Sequence, residues 1–290
     1  MWRHEEGIGM SGLNPLISVI TATYNAAQAL PYTMQSICKQ SFEDFEWIVM
    51  DGGSTDGTTD LLEECARISY WRSERDRGIY DAWNKAVRQA RGQWVIFIGA
   101  GDEFASDTVL EEIAPILTVA FPAHSVVYGK VELVGERDRN LIEIVDRPWD
   151  RIKGKWQLYR PVVPVHPETF QHRSLFVGEE PFDLRFSIAS DTHFLLKAFQ
   201  EKEPLYIPLL IDRMTVGGVS TRPRNYFRMV REIWAINADL GIELPFWHVV
   251  IESMKLLVRF VIELVPTTLS LWIIDRVRIL RGKKPLWNPR

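Results

Sequence analysis

DGGSTDGTTD (51–60) stands directly behind the apolar run FEWIVM (45–50), so three aspartates and three glycines fill ten residues where a buried strand ends. The run reads as a strand because it is apolar, aromatic and β-branched. Asp56, Gly57 and Thr58 then mark the start of a helix over TTDLLEECARI. A strand, a glycine turn and a helix are the beginning of a βαβ unit. The same rhythm recurs on both sides. LISVITATYN precedes it as a strand ending at Asn25, followed by a helix over about 30–40 with Met34, Ile37 and Cys38 on one face. RGIYDAWNKAVRQARG reads as a third helix closed by Gly92, and QWVIFIGAGDEF as a strand ending in a small-residue loop. SDTVLEEIAPIL and SVVYGKVELV follow as helix and strand. Strands alternating with helices imply a mostly parallel α/β sheet covered on both faces. In such sheets ligands bind beyond the carboxyl ends of the strands, where Asp51 falls.

Several ligand motifs are excluded. There is no GxxxxGK[ST] and no GxGxxG behind the first strand. An EF-hand register with Gly57 sixth would put Gly52 where the first carboxylate is required. A strand-end carboxylate remains, beside a glycine turn that lets a planar ligand approach the backbone. Asp51 could accept the N–H of a nucleobase edge, or simply end a strand. Three further loops would share its sheet edge: TATYN (21–25), SERDRGIYDAWNKA (73–86) and GAGDEF (99–104). Carboxylates clustered near a diphosphate make electrostatic sense with a divalent cation, Mg²⁺ or Mn²⁺, between them.

The chain has 290 residues, 46% hydrophobic and 25% charged, with two cysteines and a net charge of −4. That composition suits a soluble globular protein and gives no reason to expect nucleic acid. Cys38 and Cys65 lack metal or disulfide-scaffold spacing. With no signal peptide legible, a reducing, cytoplasmic location is expected. Residues 140–225 are irregular and rich in Pro, Trp and Arg, a loop region over a site, interrupted by a helix over SDTHFLLKAFQEK and a strand or hairpin over PLYIPLLIDRMTV.

In order, SVITATYNA, DGGSTDGT, SERDRGIYDAWNKA, GQWVIFIGAGDEF and FSIASDTHFLLK resemble the family 2 glycosyltransferases of the GT-A fold, and among them bacterial enzymes of exopolysaccharide assembly, the colanic-acid type. The resemblance spans about residues 16–220. It implies an inverting transfer from a nucleotide sugar to a hydroxyl acceptor. Thr21, Thr23 and Tyr24 would line the base pocket, Asp51 would read the base, and UDP is favoured because a carboxylate suits an imide. Asp76 would sit beside the nucleotide with Gly78. Asp102 would match the last carboxylate of the DxD-type motif and hold the metal. Asp191 would match the acceptor-side base, although Ser190-Asp191 also reads as a helix N-cap. Gly101 stands where many relatives carry a second acid, and Trp83 where some carry Arg, so Lys85 or Arg77 would have to supply the phosphate cation. His166, Trp149, Trp156 and GGVS (217–220) are secondary candidates, each with an ordinary packing or turn alternative. A nucleotidyltransferase or an inactive nucleotide-sugar-binding scaffold are the rival functions.

The organisation expected is a tail over 1–14, a catalytic domain over 15–225 and a helical extension over 226–290. Residues 246–290 carry eight Lys/Arg against three acids, so residues 1–245 carry −9. Within 246–264, Glu252, Lys255, Arg259 and Glu263 fall in an arc of roughly 80°, with Trp247, Val250, Met254, Leu257, Val258 and Val261 opposite. An apolar face with a basic tail suits an interfacial anchor over 246–284 on the inner face of the cell membrane, consistent with a lipid-linked acceptor. A helix packed on its own domain, or a dimer interface, has the same pattern.

Overall fold

The computed structural model describes residues 14–136, 138–217, 225–263, 267–280, 282 and 285. The expected tail, apart from Asn14, lies outside these. Strands β1 (Ile17–Thr23), β2 (Phe45–Asp51), β3 (Tyr70–Ser73) and β4 (Trp94–Phe97) run parallel in the order β3-β2-β1-β4. Helices α1 (Leu30–Cys38), α2 (Thr58–Glu64) and α3 (Ile79–Gln89) connect them.

The strands are apolar on both faces because each face meets a separate core. Val19, Trp47, Val49 and Ile96 pack with α1 and α4 (Val109–Ala120). Ile20, Ile48, Met50, Val95 and Phe97 face the other way, into a core with α3, α6 (Ser190–Glu201) and α7 (Tyr226–Asp239). A strand with period-two side chains must be apolar throughout to do this. Val230, Ile233 and Ile236 of α7 belong to that second core, so the helical segment begins with an integral helix.

The other half of the sheet is mixed. β5 (Glu103–Phe104), β6 (Val126–Gly135), β10 (Thr169–His172) and β11 (Leu205–Val216) complete the path as β4-β10-β6-β11-β5, with β7 (Leu141–Val145) paired antiparallel to β6. β10 wedges antiparallel between β4 and β6. The stretch expected as loop over 140–225 thus supplies a central strand. α5 (Trp149–Ile152) and the hairpin β8 (Trp156–Gln157) and β9 (Arg160–Pro161) precede β10 in the chain, and α8 (Phe246–Glu263) and α9 (Thr267–Leu280) follow α7.

The third helix ends before Gly92. Its C-cap is Ala90, in extended conformation. Gly92 serves a close approach instead, since a Cβ there would lie 2.5 Å from the Ser18 backbone nitrogen. Buried Glu46 ties that corner together: it accepts from Ser18 Oγ (2.7 Å), Arg91 N (2.6 Å) and Gly92 N (3.1 Å).

Candidate active site

The parallel register sets Thr23 beside Asp51, and β4 continues past Ile98 into the Gly99–Asp102 turn. The carboxyl ends of β1, β2 and β4 therefore share one rim. Asp51 is buried, and its carboxylate organises the glycine turn. Oδ2 accepts from Gly53 N (3.1 Å), Ser54 N (2.8 Å) and Ser73 Oγ (2.6 Å), and Oδ1 from Ser54 Oγ. The turn is stitched to the end of β1. Asn25 adopts a left-handed φ of 48°, its N donates to Ser54 Oγ (2.7 Å), and its Oδ1 accepts from Thr55 N (2.9 Å). Thr58 Oγ1 and Asp56 Oδ2 accept from Ala26 N and Ala27 N.

Gly52 is where this turn comes closest to its neighbours. A Cβ there would sit 2.7 Å from Asp76 Oδ2 and 3.3 Å from the Tyr24 ring. Tyr24, Gly52 and Asp76 thus adjoin, and the Tyr24 residue is 65% exposed, an open aromatic face at the strand end. Burial raises the Asp76 carboxyl, while the Gly78 N–H it accepts at 2.9 Å opposes that. Thr23 is buried with its Oγ1 unpartnered among the described residues, and Thr21 lies below the rim, accepting from Trp47 Nε1 at 3.1 Å. Lys85 is paired with Glu74 (3.0 Å) and Asp81 (3.2 Å), and Arg77 with Asp81 (3.0 Å) and Glu180 (2.7 Å).

Asp102 closes the rim from the β4 side. Thr33 Oγ1 accepts from Gly101 N (2.8 Å) and bonds the Asp102 carbonyl (2.7 Å), which anchors the turn to α1. Asp102 Oδ1 accepts from Thr215 N at 2.8 Å, and enclosure of the carboxyl pushes it up to about 7. Two residues missed in the sequence flank it. Arg139, from the β6–β7 turn, donates to Gly101 O (2.7 Å), Thr215 Oγ1 (2.7 Å) and the Glu103 carboxylate, over the Tyr32 ring. Asp212, on β11, is fully buried with both oxygens unpartnered among the described residues; burial first, then Asp102, push its carboxyl well up.

Among the described residues no group of three His, Cys, Asp or Glu could hold a metal alone. With Oδ1 engaged, Asp102 offers one carboxylate oxygen. That fits a cation completed by diphosphate oxygens and water, the usual coordination of Mg²⁺ beside nucleotides.

Asp191 stands in the first turn of α6, whose N-cap is Ala189. Its Oδ1 accepts from Thr192 N (2.7 Å) and from Tyr80 OH (3.1 Å), a hydroxyl shared with Ile188 O (2.7 Å). Neither bond caps the helix. Burial raises the carboxyl; the Thr192 N–H and the Arg160 guanidinium oppose it. His166 is buried against Trp83, ring centroids 4.8 Å apart, and burial holds its imidazole down at about 3, neutral at pH 7. Trp149 packs edge-on to Phe199, and Trp156 lies beside His248. Of GGVS, Gly217 follows β11 with φ 134°, and residues 218–220 lie outside the described ones.

Residues 18–176 match the model of a protein family described as "Glycosyl transferase family 2". A PGL/p-HBAD biosynthesis glycosyltransferase of Mycobacterium tuberculosis is 33% identical over 204 residues, 69% of this chain and 73% of that protein. A putative teichuronic acid biosynthesis glycosyltransferase of Bacillus subtilis, TuaG, is 35% identical over 108 residues, 36% of this chain and 43% of its own. The fold is that of S. aureus TarS 1–349 solved with UDP: TM-score 0.57, 21% identity, 80% of this chain and 68% of that one. Of another solved TarS chain, 41% is spanned. A mannosyltransferase from Pyrobaculum calidifontis in complex with GDP-Man and Mn²⁺ matches equally, TM-score 0.57 at 21% identity over 80% of this chain and 66% of its own.

Proposed function

This chain belongs to glycosyl transferase family 2 and has the GT-A fold, and from that premise we propose that it transfers a sugar, with inversion, from a nucleoside diphosphate sugar to the hydroxyl of a lipid-linked glycan in cell-surface polysaccharide assembly. The observation that carries this reading is the common rim: Tyr24, the Asp51 turn, Asp76 and Asp102 adjoin the carboxyl ends of three parallel strands. Tyr24 stacks on the base and the Asp51 turn receives its edge. Thr23 Oγ1, Asp76 and Gly78 line the ribose and diphosphate path. UDP is the favoured nucleotide, and the nucleotide complexes of TarS and of the mannosyltransferase support a nucleotide sugar donor.

Asp102 would hold Mg²⁺ or Mn²⁺, which when bound neutralises the leaving diphosphate. Asp191 takes the proton of the acceptor hydroxyl as it attacks the anomeric carbon. Tyr80 fixes the orientation of that carboxylate. His166, neutral and stacked on Trp83, supports the acceptor-side wall.

A thermal-shift panel tests the donor assignment. UDP with Mn²⁺ is expected to raise Tm in proportion to ln(1 + [L]/Kd), more than GDP or either nucleotide with chelator. Equal shifts for UDP and GDP would remove the base preference, and no shift with any nucleotide would remove the donor reading.

The acceptor side faces a membrane in this proposal. Glu252 of α8 is buried and paired with Lys255 at 2.6 Å, while Phe246 (71% exposed), Trp247 (74%), Ile251, Met254 and Leu257 point outward. Exposed apolar side chains thus stand on the open side of the helix, while Glu252 is enclosed. Trp272, Ile279 and Leu280 of α9 are exposed as well, with Arg276 over the Trp272 ring. Among the described residues no helix is long and apolar enough to cross a membrane. An anionic leaflet fits such a face, because the basic excess of 246–290 adds electrostatic attraction to apolar insertion. The chain is expected to sediment with phosphatidylglycerol vesicles at low salt and less with neutral ones. Trp247→Ser with Leu257→Ser should abolish sedimentation, and a chain that stays in the supernatant with both vesicle types rules out the anchor.

A further inference from the structure

Helix α6, which carries the candidate base, begins without a side-chain cap. Its N-cap is Ala189, which has no oxygen beyond the backbone to accept the N–H groups that a helix start leaves unpaired. The acceptor comes from elsewhere in the chain. Glu232, in the middle of α7, is buried, and its carboxylate is devoted to the three residues before Ser190. Oε1 accepts from Ser187 N (3.0 Å) and Ser187 Oγ (2.8 Å), and Oε2 from Ile188 N (2.9 Å) and Ala189 N (3.0 Å). A carboxylate has about four acceptor positions, so this one is filled. Bonds to an ionised acceptor are roughly twice as strong as neutral ones.

The pinned stretch leads straight to Asp191. Ile188 O and Asp191 Oδ1 are both within reach of the Tyr80 hydroxyl, at 2.7 and 3.1 Å. A hydroxyl has a single hydrogen to give, so the place of Ile188 O decides how much of it Asp191 receives. His193 N closes the first turn of α6 on Ala189 O (3.0 Å), and Asp191 Oδ1 takes Thr192 N at 2.7 Å. Fixing 187–189 therefore fixes both donors to the base carboxylate. α7 holds the same region a second time. Asp239, its last residue, accepts from Arg185 Nη2 (3.2 Å) and lies 2.9 Å from His193 Nε2. Val230, Ile233 and Ile236 seat the helix in the second core.

We propose that Glu232 is a positioning residue for sugar transfer, setting Asp191 through the 187–189 loop and Tyr80, so that α7 is a working part of the active site. This rests on the sugar-transfer reading. The family match ends at residue 176 and the catalytic domain expected from the sequence at 225, and Glu232 lies beyond both. A general base works only within hydrogen-bond reach of the proton it takes. A displacement of about 1 Å can lower a rate by about 10²-fold. Glutamine at 232 has nearly the same shape but replaces one acceptor oxygen with an NH₂ donor. Two of the loop's donors then lose their acceptor in a buried place, which is costly for that arrangement.

The test uses the full chain with Mn²⁺ and three probe donors, UDP-glucose, UDP-galactose and UDP-N-acetylglucosamine, radiolabelled in the sugar and followed as release to water. Glu232→Gln should lower kcat at least about tenfold and leave donor KM and UDP affinity within about twofold of wild type. A double-mutant cycle separates positioning from folding. In the Asp191→Asn background the same change should lower kcat less than about twofold, because the group it acts through is gone. A loss that persists undiminished there, or Glu232→Gln with wild-type turnover, overturns the proposal. Amide hydrogen exchange reads the pinning itself. The amides of 187–189 should exchange at least about tenfold faster in Glu232→Gln, and those of the Asp51 turn at the wild-type rate. Unchanged exchange at 187–189 overturns the proposal whatever the turnover. Wild type that releases sugar from none of the donors removes the sugar-transfer reading, and with it a catalytic role for Glu232, even where exchange shows the loop pinned. Should Glu232→Gln fail to fold, Glu232→Asp, which keeps the charge but falls one methylene short, takes its place in the same cycle.

Discussion

Asp191→Asn is expected to lower sugar transfer by roughly 10²–10⁴-fold, the span that a positioned general base supplies. Asparagine keeps the shape and can still accept from Thr192 N and Tyr80 OH. It cannot take a proton, so the loss should fall on turnover and leave UDP binding intact. The pH profile carries a second mark of the same residue. Burial raises the Asp191 carboxyl, and a base works only when deprotonated. Activity should therefore be full at higher pH and fall, as pH drops, at values above the ordinary carboxylate range. Wild-type transfer that stays flat down to pH 4, or an Asn variant with near-normal turnover, removes Asp191 from the role.

Much of the parallel half of the sheet was legible because burial on both faces leaves a strong sequence signal. Val19, Trp47, Val49 and Ile96 serve one core and Ile20, Ile48, Met50 and Phe97 the other, so apolar residues point to both faces of the runs. β10 gave no such signal. Thr169, Phe170, Gln171 and His172 form four residues of which three are polar, yet Gln171 is fully buried because His166 and Thr169 satisfy its amide nitrogen. These partners stand only five and two residues back, but residue type alone does not reveal the pairing. Gly92 was misread for a related reason: a glycine after a helix suggests a cap, whereas here the Ser18 backbone excludes a side chain.

The rim was legible as an order of loops, since parallel strands must deliver their carboxyl ends to one edge. What surrounds it was not. Arg139 and Arg160 arrive on hairpins, and the turn at Leu158-Tyr159 shows none of the Gly, Asn or Asp that usually signals left-handed backbone. The charged stripe of α8 was visible as periodicity, but periodicity does not say which side faces home. Among the described side chains of that stripe, Glu252 is buried and Lys255 is exposed.

Asp102→Asn should lower transfer by on the order of 10²-fold or more, because stabilising a leaving diphosphate through a bound cation is worth several kcal/mol and each 1.4 kcal/mol is tenfold. The change keeps an oxygen for Thr215 N, and Arg139 retains Glu103, Gly101 O and Thr215 Oγ1, so the turn keeps its shape. The specific reading is the coupling between metal and nucleotide. In wild type, Mn²⁺ should tighten UDP binding measured by calorimetry; in the Asn variant that gain should largely vanish while metal-free UDP affinity holds. Stability should move the other way. Enclosure lifts the Asp102 carboxyl to about 7, so the folded chain holds a proton that the unfolded chain has released between about pH 4 and 7. Folding free energy is therefore lost as pH rises through that window, and the neutral amide escapes the loss. In metal-free buffer at pH 8 the variant should melt no lower than wild type. A variant that both melts lower and binds UDP with an undiminished Mn²⁺ response would make Asp102 a turn residue and move the cation elsewhere on the rim.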